Sequence, residues 1–132
     1  MILTIRTDKP EAEIGLFDGR KKVAYQTWQA HRQLAETIHQ KMHKTLSVKG
    51  RTLEDLEDVT GVVVYKGPGS FTGLRIGMSV ANALAYSLDI PIVATAGDDW
   101  IAAGITSILA NPSKIPVMPK YGSSVHTTQP RK

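Results

Sequence analysis

Residues 61–88 narrow the choice of fold more than any other part of the chain: GVVVY, then KGPG, then SFTGLRIGMSVANALAYSL. A run such as GVVVY, apolar without alternation, is what a strand buried on both faces requires, and such strands belong to parallel sheets covered by helices. Gly67-Pro68-Gly69 reads as a tight turn, after which Ser70 or Thr72 can cap a helix. No proline interrupts the chain again until Pro91. A buried strand turned sharply into a long helix commits the chain to a layered α/β domain.

The rest of the chain supplies the other elements. Residues 2–6 (ILTIR) read as a strand ended by Asp8-Lys9-Pro10, and residues 11–17 (EAEIGLF) as a second. Asp18-Gly19 is a hairpin signal, so a third strand from about Lys22 to Trp28 completes an antiparallel meander. From His31 to Leu46 the period changes: Leu34, Ile38, Met42 and Leu46 recur every four positions, as on an amphipathic helix. The polar stretch Ser47–Asp58 follows, with TLEDLEDV as a short helical turn. Ile90–Thr95 reads as a short buried strand. Asp98 can cap a last helix, with Ile101, Ile105, Ile108 and Leu109 on one face, and Asn111-Pro112 ends it. The expected order is strand-strand-strand-helix-strand-helix-strand-helix: a mixed five-stranded sheet with three helices over residues 1–111, then an extended arm over 112–132.

Composition excludes several classes. The 132 residues are 42% hydrophobic and 21% charged, which suits one globular domain rather than a disordered chain. There is no cysteine, hence no disulfide framework and no thiolate metal site. MILTIRTDKP lacks the basic region and long apolar core of a signal peptide, and no run of eighteen apolar residues offers a membrane span. A cytoplasmic protein without a membrane partner is expected. The net charge of +4, densest at Arg20-Lys21-Lys22 and Arg131-Lys132, suits solubilising surface charge or a polyanion such as RNA.

The glycine-rich loop invites comparison with phosphate-binding loops. It has neither the Walker spacing and its lysine nor G-x-G-x-x-G, whose third position is Thr72 here. What remains is a helix N-terminus where Gly67, Gly69, Ser70, Thr72 and Arg75 could hold an anion or nucleotide, or a purely structural turn. The helix after it is more informative. With Leu74 at zero and about 100° per residue, Arg75, Ser79, Asn82 and Tyr86 gather in a narrow polar stripe. From Ala83 round to Met78, an arc of roughly 220°, all but Ser87 are apolar or small, about twice what seating on one core demands. Gly73, Gly77, Ala81 and Ala85 form a stripe of small side chains. Leu74, Met78, Ala81, Ala85 and Leu88 step with the spacing of a bundle seam. Either this helix and the one at 31–46 supply half of a four-helix bundle completed by another subunit, or both pack on their own sheet and the third helix.

Other candidates for chemistry are sparse. His39 and His43 have the spacing of paired metal ligands, but no third ligand lies nearby in sequence and they read as solvated surface. Ser70 lacks the flanking glycines of a nucleophile elbow. Glu54, Asp55, Glu57 and Asp58 read as a solvated turn, and Trp28 and Trp100 as packing residues. No catalytic constellation or metal site is expected.

The run GPGSFTGLRIGMSVANALAYSLDIPIV closely resembles the signature of the TsaB (YeaZ) family, which takes part in making threonylcarbamoyladenosine in tRNA. The likeness extends more loosely over residues 1–110 and to Pro119-Lys120-Tyr121 and Gln129-Pro130-Arg131-Lys132. The resemblance implies the fold of actin-like and Hsp70-like ATPases (ribonuclease H-like), usually two-lobed, here reduced to the first lobe and a terminal arm. It implies a non-catalytic subunit that pairs with the catalytic TsaD subunit, or with another copy of itself, through the helices bearing Leu34, Ile38, Met42, Gly73, Leu74, Gly77, Met78, Ala81 and Ala85. A TsaE-type ATPase would join the assembly. ATP and a metal ion would belong to the partner complex, with no cofactor of this chain's own, and tRNA would be reached through the complex. Two departures stand out. Active members of the wider ATPase superfamily carry a metal-orienting acid in the first strand, where this chain has Ile5-Arg6-Thr7. Arg32-Gln33 replaces the Ser-Glu that commonly follows the helix-starting histidine, and no role is assigned to His31. The alternatives are a small ATPase or phosphotransferase using Gly67–Arg75, and a tRNA-binding module using the basic turn and tail.

Overall fold

A computed structural model describes residues 1–30, 33–46 and 59–118. His31, residues 52–58 of the expected TLEDLEDV turn with its acidic cluster, and the arm beyond Met118 lie outside the described residues. Within them the elements are β1 (Ile2–Arg6), β2 (Glu11–Asp18), β3 (Lys21–Gln29), α1 (Leu34–Leu46), β4 (Gly61–Tyr65), α2 (Phe71–Leu88), β5 (Ile92–Thr95) and α3 (Trp100–Ala110). The order is the one the periodicities imply.

The sheet runs β3-β2-β1-β4-β5. The meander is antiparallel, with Ile5 opposite Ile14 and Gly15 opposite Tyr25. β4 joins β1 in parallel, Leu3 beside Val62, and β5 joins β4 in parallel, Val62 beside Ile92. Every residue of β4 is buried, as its unalternating sequence requires. This is the architecture of an actin-like or Hsp70-like lobe, a mixed five-stranded sheet with three helices.

The pleat sorts the core into two layers. Leu3, Ile5, Ala12, Ile14, Leu16, Val62 and Val64 pack on one face with Leu34, Ile38 and Met42 of α1 and Met78, Ala81 and Ala85 of α2. On the other face Ile2, Phe17, Val63 and Tyr65 meet Trp100, Ile105 and Ile108 of α3. α3 comes so close to β4 that a Cβ at Gly104 would lie 2.3 Å from Val63 Cγ1.

Two element ends differ from expectation. β5 begins at Ile92, because the Ile90 amide bonds Ala85 O to finish α2, where Asp89 adopts a left-handed conformation (φ 55°), and Pro91 has no N–H to give. α3 is preceded at its cap position by Asp99, not Asp98, and the Asp99 side chain makes no capping hydrogen bond. Asp99 has φ −99° and ψ 25°, away from the extended backbone usual at a cap. Residues 112–118 fold back as a strap. The Ile92 amide donates to Ser113 O at 2.9 Å, Lys114 Nζ lies 3.1 Å from Asp89 Oδ1, and the Asn82 amide exchanges two 3.0 Å bonds with the Val117 backbone. Among the described residues no helix is long and apolar enough to cross a membrane.

Candidate functional site

The turn after β4 is built against the turn after β1. Gly67 takes φ 105°, which only glycine adopts freely, and the Gly67–Pro68 peptide is cis. The Ser70 amide donates to Asp8 O at 2.9 Å, and Ser70 Oγ accepts from the Gly73 amide at 3.3 Å, so the cap of α2 is Ser70 rather than Thr72. Asp8 is held from its other side by Arg6, whose Nε and Nη2 donate to the two carboxylate oxygens at 2.7 and 3.2 Å. The Arg6 guanidinium also lies 4.0 Å from the Tyr65 ring centroid. The hydrogen bond to Asp8 raises the Arg6 pKa above its ordinary value, against partial burial. The cation at this position thus has a local partner, and it fastens β1, the β1–β2 turn and β4 together.

A cavity of about 490 Å³ opens beside this junction, lined by Thr7, Lys9, Pro10, Ala30, Leu34, Ser70, Thr72, Gly73 and Ile76. Of the five residues read as anion-binding, Ser70 and Thr72 line it. Gly67 and Gly69 do not; Gly69 lies against Asp8, where a Cβ would be 2.4 Å from Asp8 Cβ. Arg75 points elsewhere, its guanidinium 5.3 Å from the Phe71 ring centroid. The cation at the cavity is Lys9, which sequence reading passed over as part of a turn; it lies 3.5 Å from Glu13 Oε2. Among the described residues no group of three or more His, Asp or Glu side chains could hold a metal ion.

The helices turn their small-residue stripe toward the inside of the fold. Leu74, Gly77, Met78, Ala81 and Ala85 are all buried within this chain, as are Leu34, Ile38 and Met42 of α1. The small-residue stripe is occupied from inside: a Cβ at Gly73 would lie 2.1 Å from Thr7 O, and one at Gly77 2.1 Å from Thr7 Oγ1. The stripe lets α2 settle onto the end of β1. The wide apolar arc is real, but its inner half is the half with the smallest side chains. Its outer half faces α1 and solvent: Ile76 and Val80 are half-buried and Ala83 is exposed. Beside them Ala35, Ile38 and His39 of α1, with Arg75 and Ser79 of α2, complete a cleft of about 310 Å³ between the two helices. That pairing of faces was not legible in the wheel, which gives angles but no partner.

On the opposite sheet face, Tyr25 donates its hydroxyl to Glu13, and burial first, then this bond, raises the Tyr25 pKa. Thr4 Oγ1 and Thr7 Oγ1 are buried without a hydrogen-bond partner among the described residues.

Comparisons with known proteins agree on one lineage. A family profile described as TsaD: tRNA N6-adenosine threonylcarbamoyltransferase matches residues 17–119. The chain is 53% identical over 47 residues to the tRNA threonylcarbamoyladenosine biosynthesis protein TsaB of Bacillus subtilis (strain 168), covering 36% of this chain and 20% of that protein. It is 34% identical over 99 residues, 74% of this chain and 27% of the relative, to the tRNA N6-adenosine threonylcarbamoyltransferase of Geotalea uraniireducens (strain Rf4). Among solved structures, YeaZ from Pseudomonas aeruginosa superposes with a TM-score of 0.66 at 22% identity, over 83% of this chain and 48% of that one, a likeness of fold. The chain therefore matches about a fifth to a quarter of the length of those curated relatives and about half of that solved structure.

Proposed function

The chain belongs to the threonylcarbamoyltransferase (TsaD) family, on its TsaB (YeaZ) branch, and from that premise we propose that it is a non-catalytic cytoplasmic subunit of the assembly that makes N6-threonylcarbamoyladenosine in tRNA. It binds and stabilises a TsaD-type catalytic subunit, which uses the ATP and metal ion and carries the transfer. A TsaE-type ATPase joins the assembly, and tRNA is reached through it. The observation that supports this most is the pair α1 and α2, side by side on one sheet face with an apolar cleft open between them. Two helices with a shared outer seam are half of a four-helix bundle, and a partner contributes the other half. Contact falls on Ile76, Val80, Ala83 and the α1 residues beside them. The set from Leu34 to Ala85 supports that surface from beneath, and of it Leu34, Ile38 and Gly73 line a cavity together with Ile76.

Size-exclusion chromatography of the chain mixed with its own organism's TsaD-type subunit tests the reading. The wild type should co-elute, and Val80→Arg, which puts a charge in the seam, should elute separately while keeping its circular dichroism spectrum. Co-elution undiminished by Val80→Arg would remove this surface from the interface.

A second reading rests on the 490 Å³ cavity, where Ser70, Thr72 and Lys9 surround a helix N-terminus that favours negative charge. A phosphate-bearing ligand there would make the chain an ATP-binding protein, and magnesium-dependent ATP turnover by the isolated chain would favour this over the subunit reading.

A further inference from the structure

The cleft between α1 and α2 carries charge of one sign on its rim. Its floor is Ile38, Ile76 and Val80, and the two groups beside that floor that can carry charge are His39 and Arg75, both exposed and both basic. Arg75 is the one charged residue among the 18 of α2. The lysines of α1 lie on its other side, Lys41 Nζ 5.9 Å from the Trp28 ring centroid and Lys44 beside Ala24, Tyr25 and Gln26 of β3, so the rim charge is that of His39 and Arg75, and the one acid of α1 is Glu36 in its first turn. A surface with an apolar floor and a basic rim selects its occupant by complementary potential, because a like-charged rim raises the cost of approach and an opposite one lowers it.

We infer that this cleft takes a helix of the partner subunit that presents an apolar side chain to Ile76 and Val80, with aspartate or glutamate one turn to either side meeting Arg75 and His39. The inference rests on the proposed pairing with a TsaD-type subunit and adds the chemistry of the partner's face. It also separates two partners the sequence left together. In a twofold self-pairing the same patch meets itself, so the rim bearing Arg75 and His39 faces an identical basic rim, with Glu36 as the one carboxylate available from either helix. A second copy is the poorer fit, and an acidic-flanked helix the better one. The apolar floor tells against RNA, whose phosphates need cations and whose bases need stacking faces at the contact.

Binding to the TsaD-type subunit by isothermal titration, at low and at high ionic strength, tests this with the full chain. Arg75→Glu and His39→Glu should each weaken binding by about tenfold at low ionic strength, and the deficit should shrink at high ionic strength as screening removes the rim repulsion. Arg75→Lys, which keeps the charge, should stay near wild type, and unchanged circular dichroism should show that all variants fold. Binding that ignores both reversals and salt overturns the inference while leaving the pairing intact. No binding by the wild type overturns the pairing and the inference together. Sedimentation of the chain alone as a dimer that Val80→Arg splits would give the cleft to a second copy. Loss of tRNA binding in the reversals, with pairing unaffected, would give the rim to phosphate. Either result sinks the acidic-helix proposal.

Discussion

Gly77 shows how much one missing side chain decides. A Cβ there would lie 2.1 Å from Thr7 Oγ1, on a β-branched side chain that is itself buried and stiff. Gly77→Leu should therefore destabilise the fold by about 1–3 kcal/mol. A lowered urea midpoint with an unchanged slope would bear this out; a stable variant that merely lost its partner would return the small-residue stripe to the surface. The sequence showed that residues at this period had to be small. It could not show whether the close neighbour was β1 or another molecule, because both need the same absence of atoms. Tyr25 illustrates a contact between strands. Its hydroxyl donates to Glu13 and its pKa is raised, so the folded state holds this proton more tightly than the unfolded chain does. That contribution is complete below the unfolded value of about 10 and is lost as pH climbs through the folded one. Tyr25→Phe should accordingly be less sensitive to alkali above about pH 10 than wild type, in urea melts taken across that range. Parallel pH profiles for the two proteins would refute it.

Helices α2 and α3 end and begin differently, and the contrast makes a paired test. Ser70 caps α2 through its side chain, whereas Asp99 precedes α3 without doing so. Ser70→Ala should cost about 1 kcal/mol, while Asp99→Ala should change stability by only a few tenths. Equal losses in the two variants would mean that the local capping geometry is not what holds these helices. At this scale the sequence was largely readable. The period-four apolar residues of α1, the unbroken GVVVY of β4 and the Asp18-Gly19 turn each have one strong structural solution. Their boundaries were less so, since Ile90 looks like strand until one sees its amide bonded to Ala85 O. A helix wheel also treats all apolar residues alike. In the folded chain the outer half of that arc is where Ile76, Val80 and Ala83 lie, and these are the residues a partner can reach.

The chain as a whole is two half-cores on one sheet, and the docking surface proposed for it is where the larger of them ends. The candidate cavity could not be read from motifs, because it is made by the β1–β2 turn, the start of α1 and the start of α2, which lie far apart in sequence. The basic rim was invisible for the same reason: Arg75 and His39 become neighbours only when both helices lie on the same sheet face. One feature of the sheet also governs how the molecule can come into being. β1 sits at the centre, between β2 and β4, although it precedes both in sequence. While the polypeptide is being synthesised, the hairpin side of β1 can close early, but its other edge stays bare until β4 emerges some fifty residues later. For that interval the nascent chain displays a row of open amides and carbonyls flanked by Leu3 and Ile5. This lobe is therefore most vulnerable to mispairing on the ribosome, before its helices have anything to cover.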